Sequence, residues 1–218
     1  MQIVNRQVQI PSGPVLLEGE LSIPSQSRGV VLFAHGSGSS RQSPRNQFVA
    51  RVIRQAGIGT LLFDLLTREE EDEDEVSGRL RFDIGLLAKR LADATRWVAA
   101  GRDTSHLGIG YFGASTGAAA ALVSAAEVGP VVSAVVSRGG RPDLAGDALP
   151  RVAAPTLLVV GSLDQQVLRL NEEALARLRC EKKLVIIPNA SHLFEEAGTL
   201  DQVAHVAAEW FQRQFRPR

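Results

Sequence analysis

The stretch Leu107-Gly108-Ile109-Gly110-Tyr111-Phe112-Gly113-Ala114-Ser115-Thr116-Gly117 decides the fold, because it joins an apolar run to the alanine-rich run Ala118 to Ala126. The first run predicts a buried strand and the second predicts a helix. The turn between them has the pattern G-x-S-x-G, which in this context forms a sharp nucleophile elbow. Gly113 and Gly117 have no side chains, and such a turn leaves no room for side chains at these positions. The sequence therefore predicts an α/β domain in which the Ser115 hydroxyl stands clear of a strand end.

Runs that predict strands alternate with runs that predict helices over the rest of the chain. Buried strands are expected at Gly29–Ala34, Gly59–Leu65, Val131–Ser137, Thr156–Val160 and Leu184–Pro188, and helices at Arg45–Gln55, Phe82–Ala100, Leu168–Leu178 and Leu200–Phe215. This alternation implies a mainly parallel sheet that is covered by helices on both faces. Two alternating segments around the turn at residues 11–14 are expected to form an antiparallel hairpin at its edge. We predict one three-layer α/β/α domain over residues 1–218.

The composition disfavours several kinds of partner. The 218 residues are 44% hydrophobic and 22% charged with a net charge of zero, so neither nucleic acid nor an anionic membrane is favoured. No apolar stretch reaches the roughly 18–20 residues that cross a bilayer, and residues 1–10 lack the apolar region of a signal peptide. A single cysteine, Cys180, excludes an intramolecular disulfide. These features favour a cytoplasmic protein.

Two further residues could activate a serine at the same edge of the sheet. A serine hydroxyl needs a base that accepts its proton and a third group that orients the base. Asp164 follows the strand that ends at Val160, and His192 follows the strand that ends at Pro188. The order serine, acid, histidine is that of elbow hydrolases, and the carboxyl ends of parallel strands meet at one rim. We therefore predict a catalytic triad of Ser115, His192 and Asp164. Taken singly, the aspartate could be a turn former or helix cap, and the histidine an incidental loop residue.

The loop after the strand Gly29–Ala34 has the composition expected of an oxyanion hole. Its sequence is His35-Gly36-Ser37-Gly38-Ser39-Ser40, and its glycines allow the backbone to approach a ligand closely. A tetrahedral intermediate needs N–H donors that point at its negative oxygen. We expect one donor from Thr116, directly after the nucleophile, and a second from Ser37, with Gly38 as the next candidate.

The same loop can also be compared with a dinucleotide-binding loop. Gly36-Ser37-Gly38 follows a strand, and Asp64 ends the next strand. However, Arg41 stands where that pattern requires its third glycine, and Pro44 separates the loop from the helix. A metallohydrolase is disfavoured as well, because the histidines lack H-x-x-x-H spacing and there is no cysteine pair.

One segment differs sharply in composition from the rest of the chain. Residues Glu69–Glu75 are all acidic, and such a run is expected to be a solvated, mobile loop. The alternative is a flexible flap beside the pocket, since the run follows a strand that ends at the active edge. A metal site is disfavoured here, because the run has neither histidine nor the glycine-centred pattern of a calcium loop.

With these residues placed, the chain resembles the α/β-hydrolase superfamily and, within it, the dienelactone-hydrolase-like proteins. The likeness covers nearly the whole chain and is strongest at His35–Arg41, Gly113–Gly117, Ser137–Asp143 and Ala190–Glu196. It implies an α/β-hydrolase fold with an eight-stranded sheet, a Ser or Cys nucleophile with His and Asp, no cofactor, and ester, lactone or related acyl substrates. Dienelactone hydrolases carry cysteine as the nucleophile, whereas this chain has Ser115. The resemblance therefore favours a carboxylesterase or thioesterase, with Cys180 as a structural residue.

The segment between two of the predicted strands bears on the substrate. Arg138 to Ala154 is too short for a helical cap domain, so an open pocket is expected. Arg138 and Arg141 follow a strand at the active rim, and we predict that one of them, foremost Arg138, contacts a substrate carboxylate, because a guanidinium binds carboxylates through two parallel hydrogen bonds. The alternative is an ion pair with Asp143, Asp164 or the acidic run.

The sequence as a whole predicts a serine hydrolase that cleaves a small-molecule carboxylic ester, lactone or thioester through an acyl-enzyme. The alternative is a catalytically silent hydrolase-fold protein that only binds a ligand, because a fold does not determine a function. No metal or cofactor is expected. The oligomeric state stays open, with a homodimer as one option.

Overall fold

The computed structural model describes residues 2–215. Across these residues one sheet contains eight strands: β1 (Ile3–Ser12), β2 (Val15–Pro24), β3 (Gly29–Ala34), β4 (Gly59–Phe63), β5 (Gly108–Ala114), β6 (Val132–Arg138), β7 (Thr156–Gly161) and β8 (Lys182–Ile187). The α-helices are α1 (Pro44–Gln55), α2 (Arg68–Ser77), α3 (Ile84–Ala100), α4 (Thr116–Val128), α5 (Gln165–Arg177) and α6 (Thr199–Gln214). Short 3-10 segments occupy Leu80–Phe82, Gly129–Val131 and Pro142–Arg151.

The strand order β1-β2-β4-β3-β5-β6-β7-β8 determines where a ligand can bind. The β1–β2 hairpin and the β2–β4 pair are antiparallel, and every pairing from β4 across to β8 is parallel. The chain leaves β3 to form β4 on one side and later forms β5 on the other side. The loops after β3 and β5 therefore diverge and leave a crevice at the carboxyl ends of the two strands. This topology confirms the predicted α/β-hydrolase fold, including the edge hairpin.

Helices cover both faces of the sheet and bury two apolar layers. Helices α3 and α4 pack on one face, and α1 and α6 pack on the other. Residues Ala118–Ala121 of α4 are fully buried, because alanine side chains let the helix approach the sheet closely. Strands β3, β4 and β7 are buried along their whole length, as their continuous apolar sequences predict. Among the helices of residues 2–215, none is long and apolar enough to span a bilayer.

The connection between β6 and β7 carries no large cap. Its residues 139–155 contain the 3-10 segment Pro142–Arg151, which is interrupted at Gly146 by a positive φ of 50°. This confirms the expectation that the segment is too short for a cap domain. The carboxyl edge of the sheet is therefore bordered by loops and by the ends of helices.

The acidic run does not form the mobile loop that its charge predicts. It is helix α2, which begins after a capping box at Thr67. The Thr67 hydroxyl accepts the N–H of Glu70 at 3.3 Å, and the Glu70 carboxylate accepts the N–H of Thr67 at 2.8 Å. The helix ends at Gly78, which has a left-handed φ of 62°. Because three acids lie in the first turn, they complement the positive end of the helix dipole.

Basic side chains from later residues neutralise part of this helix. Glu70 forms an ion pair with the buried Arg90 of α3. Asp74, only 2% exposed, pairs with Arg81 and accepts the N–H of Leu80. The run stays partly solvated, since four of its seven acidic residues are exposed. It forms a helix rather than a loop because counter-ions from another part of the chain pair with Glu70 and Asp74.

Candidate active site

Ser115 occupies the one-residue turn between β5 and α4. Its φ of 50° and ψ of −121° lie where side chains are rarely tolerated, and such strain costs about 1–3 kcal/mol. Three backbone hydrogen bonds hold it: the Ser115 N–H donates to the carbonyl of Arg138 at 3.3 Å, and its own carbonyl accepts the N–H groups of Ala118 and Arg141, each at 3.1 Å. The surrounding backbone therefore enforces the elbow conformation.

Flanking glycines permit the elbow to pack tightly. A Cβ at Gly113 would lie 2.5 Å from the Cα of Ala118, and a Cβ at Gly117 would fall on the carbonyl oxygen of Ala34. A Cβ at Gly36 would lie 3.0 Å from the Cβ of Ser115. The end of β3, the loop after it and the nucleophile turn are thus in direct contact, as the sequence pattern requires.

Asp164 and His192 are joined by a short hydrogen bond. The distance between Asp164 Oδ2 and His192 Nδ1 is 2.6 Å, and the two side chains are 15% and 39% exposed. Asp164 occupies the N-cap position of α5, but its carboxylate makes no capping bond to that helix. The loops that carry the two residues also fit closely, since a Cβ at Gly161 would collide with the carbonyl of Ala190. The carboxylate therefore orients the imidazole rather than capping a helix.

The imidazole of His192 lies over the segment that follows β6. A Cβ built at Gly139, which has a φ of 50°, would be 3.6 Å from His192 Cε1. Gly139 follows Arg138, whose carbonyl holds Ser115, so the histidine and the serine face the same stretch of backbone. The hydrogen bonds found in residues 2–215 include none between Ser115 Oγ and His192. The structure thus pairs Asp164 directly with His192 and places His192 and Ser115 against the same stretch of backbone.

The two residues predicted to donate to the oxyanion, Ser37 and Thr116, are joined by a hydrogen bond to the Thr116 side chain. The N–H of Ser37 donates to Thr116 Oγ1 at 3.0 Å, and Thr116 is buried at the start of α4. The sequence pattern drew attention only to the backbone N–H of Thr116. The structure adds its hydroxyl, which links the β3 loop to the residue after the nucleophile.

His35 fixes the base of that loop. Its Nε2 accepts the N–H of Leu65 at 3.0 Å, and its Nδ1 lies 3.1 Å from the carbonyl of Gly36. Burial lowers the pKa of His35 below its ordinary value, which favours the neutral ring that these two contacts require. His35 is therefore a structural residue that ties the end of β3 to the end of β4.

A cleft of about 280 Å³ lies beside the oxyanion loop. Its wall is formed by loop residues 35–40, the apolar side chains of Leu65, Leu66 and Leu87, and the acidic side chains of α2. Burial raises the pKa of Glu71, which lines the cleft together with Glu75. Helix α2 thus borders the cleft, in place of the flap considered from the sequence.

Asp64 is not free to bind a nucleotide ribose. Its carboxylate accepts the backbone N–H of Arg41 at 2.7 Å and forms an ion pair with the Arg41 guanidinium. Arg41 also pairs with Glu18 at 2.7 Å. Arg41, which replaces the third glycine of the dinucleotide pattern, therefore binds Asp64, the carboxylate that such a pattern would use to hold a ribose.

The two arginines after β6 differ in their surroundings. Arg141 forms an ion pair with Asp143, with two contacts of 2.8 and 2.7 Å. Arg138 is 8% exposed and forms no ion pair within residues 2–215, while its Nε and Nη1 atoms are buried without a hydrogen-bond partner. The alternative of a structural ion pair with Asp143, Asp164 or the acidic run is therefore wrong for Arg138.

Comparisons with known proteins agree with this architecture. The family model described as "Dienelactone hydrolase family" matches residues 17–216. A crystal structure of a dienelactone hydrolase from Anabaena variabilis is 59% identical, covers 99% of this chain and 100% of that chain, and has a TM-score of 0.97. Est1E from Butyrivibrio proteoclasticus, at 14% identity and a TM-score of 0.79 over 95% of this chain and 98% of its own, shares the fold.

A curated relative carries a different kind of name. A Mycobacterium tuberculosis (strain H37Rv) protein, provisionally named a phosphoribosyl transferase, is 57% identical over 207 residues. The match covers 95% of this chain but 46% of that protein, so the chain spans about half the length of the curated relatives that it matches. The family match over residues 17–216 and the shared fold of the 59% identical Anabaena variabilis protein outweigh a name given to a longer protein. The chain belongs to the dienelactone hydrolase family.

Proposed function

We propose that the chain is a serine hydrolase that cleaves a carboxylic ester, lactone or thioester of a small molecule. One observation carries the proposal: Asp164 leaves the end of its own helix uncapped and instead holds His192 Nδ1 at 2.6 Å. This pair lies at the same sheet edge as Ser115, whose strained backbone is held by three hydrogen bonds. Serine in place of the cysteine expected for dienelactone hydrolases favours esterase or thioesterase chemistry.

The proposed reaction has two acyl-transfer steps. His192 Nε2 takes the proton of Ser115 as Oγ attacks the substrate carbonyl, and Asp164 stabilises the imidazolium that results. His192 then protonates the leaving alcohol or thiol as the acyl-enzyme forms. Water, deprotonated by the same histidine, attacks the acyl-enzyme, and His192 returns that proton to Ser115 Oγ as the acid is released. The backbone N–H of Thr116 stabilises the negative oxygen in both steps, and the Ser37 N–H acts through the Thr116 hydroxyl to which it donates.

A hydrolysis screen tests this function against a silent binding protein. We expect the wild type to hydrolyse p-nitrophenyl esters, with a preference among acyl lengths, lactones and thioesters that the screen would define. Ser115→Ala protein of equal purity is the control for contaminating esterases. Equal rates for the two proteins would reject the proposal. The proposal does not extend to the phosphoribosyl transfer in the names of the longer relatives, since the match covers 46% of those proteins.

The Thr116 hydroxyl is expected to contribute to the oxyanion hole. Because its oxygen accepts the Ser37 N–H, its own hydrogen points elsewhere and is available to the developing oxyanion. Thr116→Val, which keeps the shape and removes the hydroxyl, should lower kcat by about 10- to 100-fold with little change in KM. Thr116→Ser is the matched control and should keep most of the activity. An unchanged or higher kcat in Thr116→Val would mean that the hydroxyl merely competes with substrate for the Ser37 N–H.

A further inference from the structure

Asn171 is a buried amide on α5 whose hydrogen bonds reach outside its own helix. The side chain is fully buried, and its Nδ2 group donates to the carbonyl of Val167 at 2.8 Å and to the carbonyl of Gly140 at 3.0 Å. A carboxamide carries two N–H donors, so both bonds can form at once. Gly140 belongs to residues 138–141 at the end of β6, which we call the post-β6 segment. A side chain of α5 therefore holds a carbonyl of this segment.

The burial of the Asn171 amide has a cost that its bonds must offset. Asparagine is a poor residue for a helix interior, and a buried amide loses hydration that only hydrogen bonds replace. The Oδ1 atom of Asn171 is buried without a hydrogen-bond partner within residues 2–215. The bond to Val167 stays within one turn of the same helix. A leucine would avoid these costs, so the bond to Gly140 is what the asparagine adds to the fold.

The post-β6 segment contacts both the candidate nucleophile and the candidate base. The carbonyl of Arg138 accepts the Ser115 N–H at 3.3 Å, and the Arg141 N–H donates to the Ser115 carbonyl at 3.1 Å. A Cβ built on Gly139 would lie 3.1 Å from the carbonyl oxygen of His192 and 3.6 Å from its Cε1 atom. A displacement of this segment would therefore move the serine relative to the histidine.

Two adjacent glycines give the post-β6 segment little rigidity of its own. Gly139 and Gly140 can adopt more backbone conformations than other residues. A larger residue could not stiffen either position, because Gly139 has a φ of 50° and a Cβ on Gly140 would collide with Ser137 Oγ. Among the hydrogen bonds of the described residues, the one from Asn171 is the only bond from a side chain to the backbone of this segment. The amide thus supplies a constraint that the glycines lack.

Helix α5 also carries the acid of the candidate triad. Asp164 stands at its N-cap and holds His192 at 2.6 Å, and Asn171 follows about two turns later. The carboxylate orients the base, and the amide holds the segment that supports the nucleophile. One helix therefore determines the position of both reacting groups.

We propose that Asn171 is a positioning residue, which fixes Ser115 relative to His192 by holding the post-β6 segment. The inference rests on the proposed hydrolase function and adds to it a residue that acts only through the backbone of its neighbours. A displacement of about 1 Å between reacting groups can lower a rate by about 100-fold. Loss of the bond to Gly140 should therefore slow the chemical steps and leave substrate binding largely unchanged.

Kinetics on two variants tests this role. Asn171→Leu removes the amide at similar volume, and Asn171→Thr keeps a hydroxyl that can bond within the helix but lacks the reach to Gly140. Either variant should lower kcat by about 10- to 100-fold and change KM by less than about 3-fold on the best ester of the screen. A folded variant whose kcat stays within about 3-fold of the wild type, or whose loss falls on KM alone, would overturn the inference.

Thr104→Val is the matched control for a loss of stability. Thr104 is 1% exposed, and its Oγ1 donates to the carbonyl of Val98 at 2.6 Å, so this change also removes a buried bond from a side chain to the backbone. Thr104 precedes β5, whereas Ser115 follows that strand at its other end. Each variant should lower Tm by about 2–6 °C, but kcat should fall only in the Asn171 variants. An equal fall of kcat in Thr104→Val would mean that kcat follows overall stability, against the proposed role.

Amide hydrogen exchange tests the same inference without turnover. The Arg141 N–H donates to the Ser115 carbonyl and the Ser115 N–H donates to the Arg138 carbonyl, so both amides report on the post-β6 segment. In Asn171→Thr these two amides should exchange at least about 10-fold faster than in the wild type, while the amides of α6 keep their rates. Thr104→Val should leave both unchanged. The positioning role is wrong if neither amide exchanges faster in Asn171→Thr.

The two measurements separate this inference from the hydrolase function. If the wild type hydrolyses no ester, the hydrolase proposal fails, and faster exchange in Asn171→Thr would still show that Asn171 holds the Ser115 backbone. If the wild type is active and the Asn171 variants keep its kcat and its exchange rates, the hydrolase proposal stands and the positioning role is rejected.

Discussion

Replacing Ser115 by alanine is expected to lower kcat by about 10⁵-fold or more while the protein stays folded. In the proposed mechanism the Ser115 hydroxyl forms the acyl-enzyme, and its removal leaves the turn and its three backbone hydrogen bonds in place. Residual catalysis should come from the oxyanion donors and from substrate binding. Initial rates on the best ester of the screen measure the loss. Ser133→Ala, at the opposite end of β6, is the control and should keep wild-type activity.

A second feature of this prediction distinguishes a triad from separate contributions. Residues that act as one unit lose their effect together, so His192→Ala and the Ser115→Ala, His192→Ala double variant should be about as inactive as Ser115→Ala alone. The 2.6 Å bond from Asp164 to His192 holds the imidazole in one orientation, which the proposed proton transfer from Ser115 requires. Losses that multiply in the double variant would contradict it, because they would mean that the serine and the histidine act independently.

Replacing Gly117 by alanine is expected to destabilise the protein by about 3 kcal/mol or more. The added Cβ would collide with the backbone carbonyl of Ala34 and lie 2.5 Å from that of His35. Ala34 ends a fully buried central strand and His35 follows it directly, so neither carbonyl can yield without moving β3. Thermal or urea unfolding measures the change, and the Tm should fall by about 6–12 °C if the variant is soluble.

Gly85→Ala is the matched control for this prediction. Gly85 lies in the first turn of α3, is exposed, and its Cβ would approach only the Asp83 side chain, at 3.4 Å. Alanine there should stabilise the protein by about 0.5–1 kcal/mol, because glycine is the poorer helix former. If Gly117→Ala were as harmless as Gly85→Ala, the close packing of the elbow against β3 would be wrong.

The fold and the main candidate residues could be read from the sequence because each is encoded locally. An apolar run followed by a short polar loop marks the end of a strand in this sequence. These marks predict that Ser115, Asp164 and His192 lie at the same edge of the sheet. The parallel order of the strands then brings those loops together. The pairing of Asp164 with His192 in the structure fits this argument, and their roles in catalysis remain proposals.

Features that depend on partners from elsewhere in the chain were harder to predict. The acidic run was expected to be mobile, yet the pattern Thr67-x-x-Glu70 is a capping box that the sequence already contained. Its neutralising partners, Arg81 and Arg90, lie on other elements and could not be assigned to it by pattern. The isolation of Arg138 likewise follows from which acids its neighbours already bind, and only three-dimensional contacts reveal this.

Labelling with a fluorophosphonate probe tests the central claim most directly, because the probe phosphonylates only a serine that a neighbouring base activates. Intact-protein mass spectrometry should show one adduct on the wild type, peptide mapping should place it on Ser115, and Ser115→Ala should gain none. His192→Ala should react far more slowly. Folded wild-type protein that stays unlabelled, or an adduct that persists in Ser115→Ala, would contradict the account.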